Sequence, residues 1–207
     1  MTRRRRVPAM APEDRRAALI AATLPLLREH GTAVSTRQIA EAAGVAEGTI
    51  FGAFPDKASL LRAALMSAFD PRPAVEALAA IGPQVELRER LRQAVAMIRG
   101  GMKANANLIA GPKGLMADDP EFHERMMDNR RQVQGGVAAL IEPDRDRLRR
   151  SPEAAAQLLL MLIAASVYRG FGLGGEFGDM DDEEIVSVLL DGLLIRPTPT
   201  PTTESAS

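Results

Sequence analysis

The 207-residue sequence predicts an all-α protein, with a small N-terminal helical domain followed by a larger helical one. Apolar residues recur three and four positions apart through most of the chain, as at Leu87, Leu91, Val95 and Ile98, which is the period of an amphipathic helix. No segment alternates apolar and polar residues as a half-buried strand would. Gly, Pro and Ser stand where helices are expected to begin and end. These three observations indicate packed helices and no sheet.

The N-terminal domain, residues 10–66, is predicted to be a three-helix helix-turn-helix domain, with a fourth helix that starts at its C-terminal end. Gly31 is expected to end the first helix, while Ser35 and Asp56 are placed to cap the second and the fourth. The predicted helices are 12–30, one that begins at Thr36, about 46–54, and 57–69.

Residues 36–57 have the spacing of two short helices joined by a tight turn. Ala40 is small enough to let the helices cross closely, and Gly44 can adopt the positive φ that the turn requires. The inner apolar residues are Ile39, Val45, Ile50 and Phe54. A helix held in this way can enter the major groove of DNA. On its outer face, Thr49 could contact a thymine methyl group, and Glu47 could accept from cytosine N4.

The same stretch resembles the DNA-binding domain of TetR-family regulators over about residues 10–66. The matching segments are Ile-Ala-Glu-Ala-Ala-Gly-Val at 39–45, Gly-Thr-Ile-Phe at 48–51 and Phe-Pro-Asp-Lys at 54–57, then a Leu pair at 60–61. The resemblance implies that the second helix approaches the DNA backbone, that the third faces the groove and that Lys57 meets a phosphate. The implied DNA-binding residues are Thr36, Arg37, Glu47, Gly48, Thr49, Phe51, Gly52, Ala53 and Lys57.

Two departures from the family pattern concern the outer face of the third helix. Many members carry Tyr where this chain has Phe51, which lacks the hydroxyl that often meets a phosphate. Gly52 and Ala53 also lack the long polar side chains usual at these positions. We therefore expect sequence preference to depend on close backbone approach, methyl contacts and DNA shape.

The charge distribution favours the same function. Residues 1–64 contain ten Lys and Arg against six Asp and Glu, whereas residues 65–207 contain 16 against 21. A basic module on an acidic body is typical of a DNA-binding protein with a separate regulatory domain. Residues 1–9 are predicted to form a disordered arm, in which the four Arg at 3–6 could reach a minor groove or the phosphate backbone.

The remaining chain is predicted to be helical up to residue 195. We expect helices at 85–105, 120–141, 152–171 and 182–195, with a break at Asp70-Pro-Arg-Pro. The Gly-rich segment 170–175 follows a helix rather than a strand, so it is not predicted to bind a dinucleotide. Residues 196–207 are a low-complexity tail that cannot fold alone.

The resemblance implies that residues 67–195 bind a small effector and dimerise. Met lines adaptable apolar pockets, and the effector is expected to be apolar. The candidate ligand-binding residues are Met97, Met116, Phe122, Met126, Ile163 and Tyr168. Helices 152–171 and 182–195 are apolar over a wider arc than one buried face requires, which predicts a homodimer through a four-helix bundle.

Composition argues against several other classes of protein. The chain has no Cys and two His, which excludes a disulfide scaffold, a Cys-bound zinc, a thiol nucleophile and a multi-His metal site. With no recognisable pair of base and nucleophile, we expect no catalytic residue, no cofactor and no metal. The longest apolar run, 158–167, is about half of what a bilayer crossing needs, and no export signal follows the N-terminal Arg run. A cytoplasmic protein without a membrane partner is expected.

The predicted function is therefore a DNA-binding transcriptional regulator, a repressor that a small apolar effector releases from its operator. Two alternatives of the same fold stay open. One is a ligand-independent or activating regulator. The other is a helical interaction protein with weak DNA specificity, which the bare face at Phe51, Gly52 and Ala53 favours. The operator sequence, the regulated genes and the effector cannot be derived from the sequence.

Overall fold

The computed structural model describes residues 11–110, 119–167 and 180–193, and these residues form helices without a strand. The predicted all-α class is confirmed. The helices are α1 Pro12–His30, α2 Thr36–Ala43, α3 Gly48–Ala53, α4 Lys57–Ala68, α5 Arg72–Ala79, α6 Leu87–Ala104, α7 Ala106–Ala110, α8 Pro120–Ile141, α9 Pro152–Val167 and α10 Asp182–Leu193. Short 3-10 helices occupy Gly31–Ala33 and Glu142–Arg147.

The chain forms two compact units that each combine two separate stretches of sequence. Among the described residues, the first contains 11–71, 101–110 and 119–130, and the second contains 72–100, 131–167 and 180–193. The predicted boundary after residue 66 falls near the end of α4, inside the first unit. The described residues 101–110 and 119–130, which the sequence assigns to the effector domain, belong to the same unit as α1–α4. The division into domains 10–66 and 67–195 stays a prediction about which parts have separate functions.

The first unit is built around one apolar core beneath α1–α4. Leu19 and Leu27 of α1 are almost fully buried there, because they lie on one face of the helix. Leu108 of α7 and Phe122 of α8 join the same core, and Met126 packs against it. Helices α7 and the first half of α8 therefore complete the hydrophobic core on which the N-terminal helices rest.

The ends of the first helices follow the residues that predict them. Gly31 has a φ of 58° at the end of α1. Ser35 caps α2 in a capping box: its hydroxyl accepts from the Gln38 N–H at 3.2 Å, and the Gln38 side chain accepts from the Ser35 N–H at 2.8 Å. Asp56 caps α4 by accepting from the Ser59 N–H at 2.6 Å. The three caps fix where the helices of the DNA-binding segment begin and end.

In the second unit, the predicted inner face of α6 is confirmed, since Leu87, Leu91, Val95 and Ile98 are all buried. The sequence prediction missed α5, which begins within the Asp70-Pro-Arg-Pro segment that was expected only to break a helix. Proline fits the first turn of a helix because the N–H that it lacks has no partner there. The same prolines therefore both end α4 and open α5.

Several predicted features lie outside the described residues. These are the Arg arm at 3–6, Met116, Tyr168, the Gly-rich segment 170–175, the ends of the two predicted dimer helices at 168–171 and 194–195, and the tail 196–207. Among the helices that the structure describes, none is long and apolar enough to span a membrane. The same residues contain no group of three or more side chains that could hold a metal ion.

Candidate nucleic-acid interface

Helices α2 and α3 form the predicted helix-turn-helix. Gly44 ends α2 in the left-handed conformation, with a φ of 66°. The turn is closed by the Val45 N–H, which donates to the Ala40 carbonyl at 3.0 Å. Ile39, Ile50 and the following Phe54 are almost fully buried between the helices. The scaffold residues singled out in the sequence thus hold the geometry that was expected of them.

Helix α3, the recognition helix, is shorter than predicted. It covers Gly48–Ala53 rather than about 46–54, because Phe54 is extended, with a φ of −135° and a ψ of 138°. Glu47 precedes it in a helical conformation, and no side chain caps this end. Ile50 is its one buried residue. The helix therefore exposes Gly48, Phe51 and Gly52 on its outer face.

The outer face of α3 is as bare as the sequence indicates. Phe51 is 55% exposed, although it is a large apolar side chain. Glu47, Gly48 and Gly52 are also exposed, while Thr49 and Ala53 are half-buried. On α2, Arg37 is exposed and Thr36 is half-buried. None of the nine predicted DNA-binding residues is buried, so each could be reached by DNA.

Two of the predicted DNA-binding residues bind each other. The Thr36 hydroxyl donates to Glu47 Oε1 at 2.5 Å and so links the first residue of α2 to the start of α3. A carboxylate repels phosphates but can accept a hydrogen bond from a base edge. The contact therefore favours a role for Glu47 in base reading or in positioning α3, rather than in phosphate binding.

Lys57 lies at the start of α4 and is half-buried. Its Nζ donates to the Thr32 carbonyl at 2.9 Å. An ammonium group has three donors, so this bond leaves Lys57 able to contact a phosphate. Beside it, the Ser59 N–H donates to Asp56 and lowers the pKa of that carboxyl. The Lys57 side chain is thus held against Thr32 of the 3-10 helix Gly31–Ala33.

Arg16 of α1 also contacts the recognition helix, which the sequence did not indicate. Its Nη1 donates to the Ala53 carbonyl at 2.9 Å, and its guanidinium lies over the Phe54 ring, 4.0 Å from the centroid. An open cleft of about 200 Å³ adjoins this contact and is lined by Pro12, Glu13, Arg15, Arg16, Gly52 and Ala53. Arg16 is 37 positions before Ala53. No local pattern in the sequence links residues so far apart.

The predicted ligand-binding residues are divided between the units. Phe122 is buried in the core of the first unit, and Met126 packs against that core. Met97 is half-buried and Ile163 is fully buried, and both belong to the second unit. Because Met116 and Tyr168 lie outside the described residues, the ligand site stays a prediction.

Comparison with known proteins agrees with the geometry of α1–α4. Residues 19–64 match the family model for bacterial regulatory proteins of the tetR family. Over this segment, the chain is similar to TetR-family regulators. The matched segment includes the whole helix-turn-helix and all nine predicted DNA-binding residues. The similarity supports a DNA-binding transcriptional regulator.

Solved structures extend the TetR-like fold beyond that segment. A TetR-family transcriptional regulator from Mesorhizobium loti has a TM-score of 0.73 at 14% identity, covering 90% of this chain and 100% of that one. GusR of Salmonella enterica has a TM-score of 0.63 at 17% identity, with 89% and 98% covered. The fatty acid degradation regulator FadR of Bacillus halodurans has a TM-score of 0.60 at 17% identity, with 91% and 95% covered. At such identities the similarity shows a shared fold alone. No curated protein sequence matches the chain.

Proposed function

We propose that this protein is a cytoplasmic repressor that binds its operator as a homodimer and is released by a small apolar effector. The observation that carries the proposal is the shared core of the first unit, in which α7 and α8 pack with the DNA-binding helices. A displacement of α7 or α8 would also displace α1 and α4, because all four helices pack in the same apolar core.

DNA contact is supported by the surface formed by α2, α3 and the start of α4. The nine predicted residues are Thr36, Arg37, Glu47, Gly48, Thr49, Phe51, Gly52, Ala53 and Lys57. Arg37 and Lys57 supply positive charge, and backbone N–H groups at helix starts can also hold phosphates. Thr49 and Glu47 are the candidates for base contact, while Gly52 allows DNA to approach the backbone closely.

Release by an effector is supported by two amide side chains at the C-terminal end of α4. Asn105 Nδ2 donates to the Ala68 carbonyl at 3.0 Å, and Asn129 Nδ2 donates to the Phe69 carbonyl at 2.8 Å. Asn105 Oδ1 also accepts from Arg28 Nη2 of α1 at 2.9 Å. Displacing either Asn would move the end of α4 and with it the spacing between the two recognition helices of a dimer. A coupling free energy of about 1–3 kcal/mol would give a useful switch.

The effector is proposed to be apolar, because the six predicted ligand residues are all Met, Ile or aromatic side chains. They are Met97, Met116, Phe122, Met126, Ile163 and Tyr168. Met adapts its shape to a bound molecule more easily than branched side chains do. A molecule that contacts Phe122 and Met126 could displace the DNA-binding helices, since both side chains pack with the core of those helices.

A homodimer is supported by apolar side chains that α9 and α10 leave exposed. The two helices pack together in the second unit, yet Leu158, Met161 and Val188 remain between 42% and 54% exposed. Leu158 and Met161 are three positions apart and share one helix face. Pairing this surface with its two-fold mate would bury it in a four-helix bundle and place two recognition helices on successive major grooves.

The alternative, a helical interaction protein with weak DNA specificity, is favoured by one observation. Phe51, Gly52 and Ala53 offer no side-chain hydrogen bond to a base. An activating or ligand-independent regulator would have the same geometry. The experiment must therefore measure sequence preference as well as affinity.

The test is a fluorescence-anisotropy titration of the protein with its own upstream DNA and with random duplex, over a range of salt concentrations. Lys57→Ala should weaken binding to every duplex and lower the slope of log K against log salt by about 1, because one phosphate contact is lost. Thr49→Ala should change the preference between duplexes. Lys103→Ala, which removes an exposed Lys on α6, is the matched control.

Native mass spectrometry of the same samples would report the dimer, its DNA stoichiometry and any bound small molecule. If the wild-type protein does not prefer its upstream DNA to random duplex even at low salt, the proposal that it binds an operator is wrong. The interaction protein then becomes the better interpretation.

A further inference from the structure

The recognition helix has little stability of its own. It is six residues long and contains two glycines, Gly48 and Gly52, which are poor helix formers. A helix this short is unstable in isolation. Ile50 is its single buried side chain, and its first residue lacks a side-chain cap. The orientation of its outer face must therefore be set by contacts from neighbouring elements.

Both ends of α3 have such a contact. At the start, the Thr36 hydroxyl binds the Glu47 carboxylate. At the end, Arg16 binds the Ala53 carbonyl, which belongs to the last turn and has no partner further along the helix. A cation at a helix C-terminus also interacts favourably with the helix dipole.

The guanidinium of Arg16 is fixed by two partners at once. Its Nη1 donates to Ala53, while its planar face lies over the Phe54 ring. Phe54 is 1% exposed and belongs to the core of the first unit, so its ring is a rigid platform. The Arg16 contact therefore connects the last turn of α3 to the core.

We propose that Arg16 is a positioning residue that fixes the last turn of the recognition helix and thereby sets its preference among DNA sequences. The proposal rests on the proposed operator binding. Gly52 and Ala53 lie in that last turn. Because neither has a long side chain, neither could keep a contact with the DNA groove if the turn moved. A loosened last turn would lose contacts that depend on exact position, whereas phosphate contacts from α2 and α4 would remain.

The test starts with a binding site that the wild-type protein selects from a pool of random duplexes. Affinities of wild type and Arg16→Gln are then measured on this site and on a scrambled duplex of the same composition, across salt concentrations. Arg16→Gln should lower the affinity for the selected site about tenfold, and the affinity for the scrambled duplex less than about twofold. The tenfold loss is the size expected when a cation–π contact and a charge-assisted hydrogen bond are removed. The salt slope should not change.

Two further variants keep this test decisive. Arg16→Lys should lose less affinity for the selected site than Arg16→Gln, because Lys retains the charge and a donor group, although it lacks the planar face of Arg. Arg125→Gln removes the same charge from an exposed position on α8 and should behave as wild type. Since Arg16 is exposed beside an open cleft, its replacement creates no buried cavity, and thermal unfolding should show an intact fold.

Two results would overturn the proposal. An equal loss on both duplexes, with the salt slope lowered by about 1, would make Arg16 a phosphate contact instead. Unchanged binding to both would leave it without a role in recognition. Failure of the wild-type protein to select any site is a separate result, which contradicts operator binding itself.

Discussion

Gly44 and Gly52 are eight positions apart, and only Gly44 has a backbone conformation that requires glycine. Gly44 needs its left-handed φ of 66° to turn the chain between α2 and α3. Gly52 has ordinary helical geometry, and a Cβ built on it would meet nothing within 4 Å. The fold therefore has room for a side chain at 52, and its absence matters to whatever approaches from outside.

Gly52→Ala should raise the free energy of unfolding by about 0.5–1 kcal/mol, because Ala is the better helix former. The same methyl group should weaken binding to the selected DNA site, since it occupies the space that close backbone approach requires. Chemical denaturation and anisotropy would measure the two effects. Gly100→Ala in α6, where a Cβ is equally unobstructed, should raise stability without changing DNA binding. Unaltered DNA binding by Gly52→Ala would rule out close approach at this position.

The individual elements differ in how clearly the sequence predicts them. Ser35, Asp56 and Pro152 predict the starts of α2, α4 and α9, because capping and first-turn proline are local effects. Helix α5 was missed because it is eight residues long, buries only Leu78 and begins among prolines that also end α4. A short helix of this kind is defined by packing rather than by its own period.

The packing of α5 depends on a glycine of α8. A Cβ on Gly136 would lie 3.1 Å from Leu78 Cδ1, whereas one on Gly135 would meet nothing within 4 Å. Gly135→Ala should therefore stabilise the protein by about 0.5–1 kcal/mol. Gly136→Ala should be less stable than Gly135→Ala by about 1–3 kcal/mol, because overpacking offsets the gain in helix propensity.

Thermal unfolding of the two variants at equal protein concentration would measure the difference. Gly135→Ala and Gly136→Ala are adjacent in the same helix, so each variant is a control for the other. Equal stability would mean that α5 does not pack tightly against Gly136.

For the whole molecule, the sequence predicts the class of fold but not how the chain is divided. The apolar period identifies Leu19 and Leu27 as core residues of the N-terminal helices. It gives no indication that Leu108 and Phe122 join the same core, because contacts between distant segments leave no periodic signal. The Arg16–Ala53 and Thr36–Glu47 contacts were missed for the same reason, although each of the nine candidate DNA-binding residues lies where DNA could reach it.

The proposed dimer can be tested with a matched pair of methionines. Met161 on α9 and Met127 on α8 are each 54% exposed, but only Met161 lies on the proposed interface. Met161→Lys should weaken the dimer at least about tenfold, because it would place an unpaired charge in an apolar bundle. Met127→Lys should remain dimeric. Sedimentation velocity over a range of concentrations would measure both, and dissociation of Met127→Lys alone would place the interface elsewhere.

Asn105 binds Arg28 of α1 and the last carbonyl of α4 with the same amide group. If an effector acts by breaking that arrangement, thermodynamic reciprocity requires the operator to lower the affinity for effector by the same factor. Copies of the protein that are not on an operator would then capture effector first. The cellular abundance of the regulator, and not only its affinity, would set the effector concentration at which the regulated genes respond.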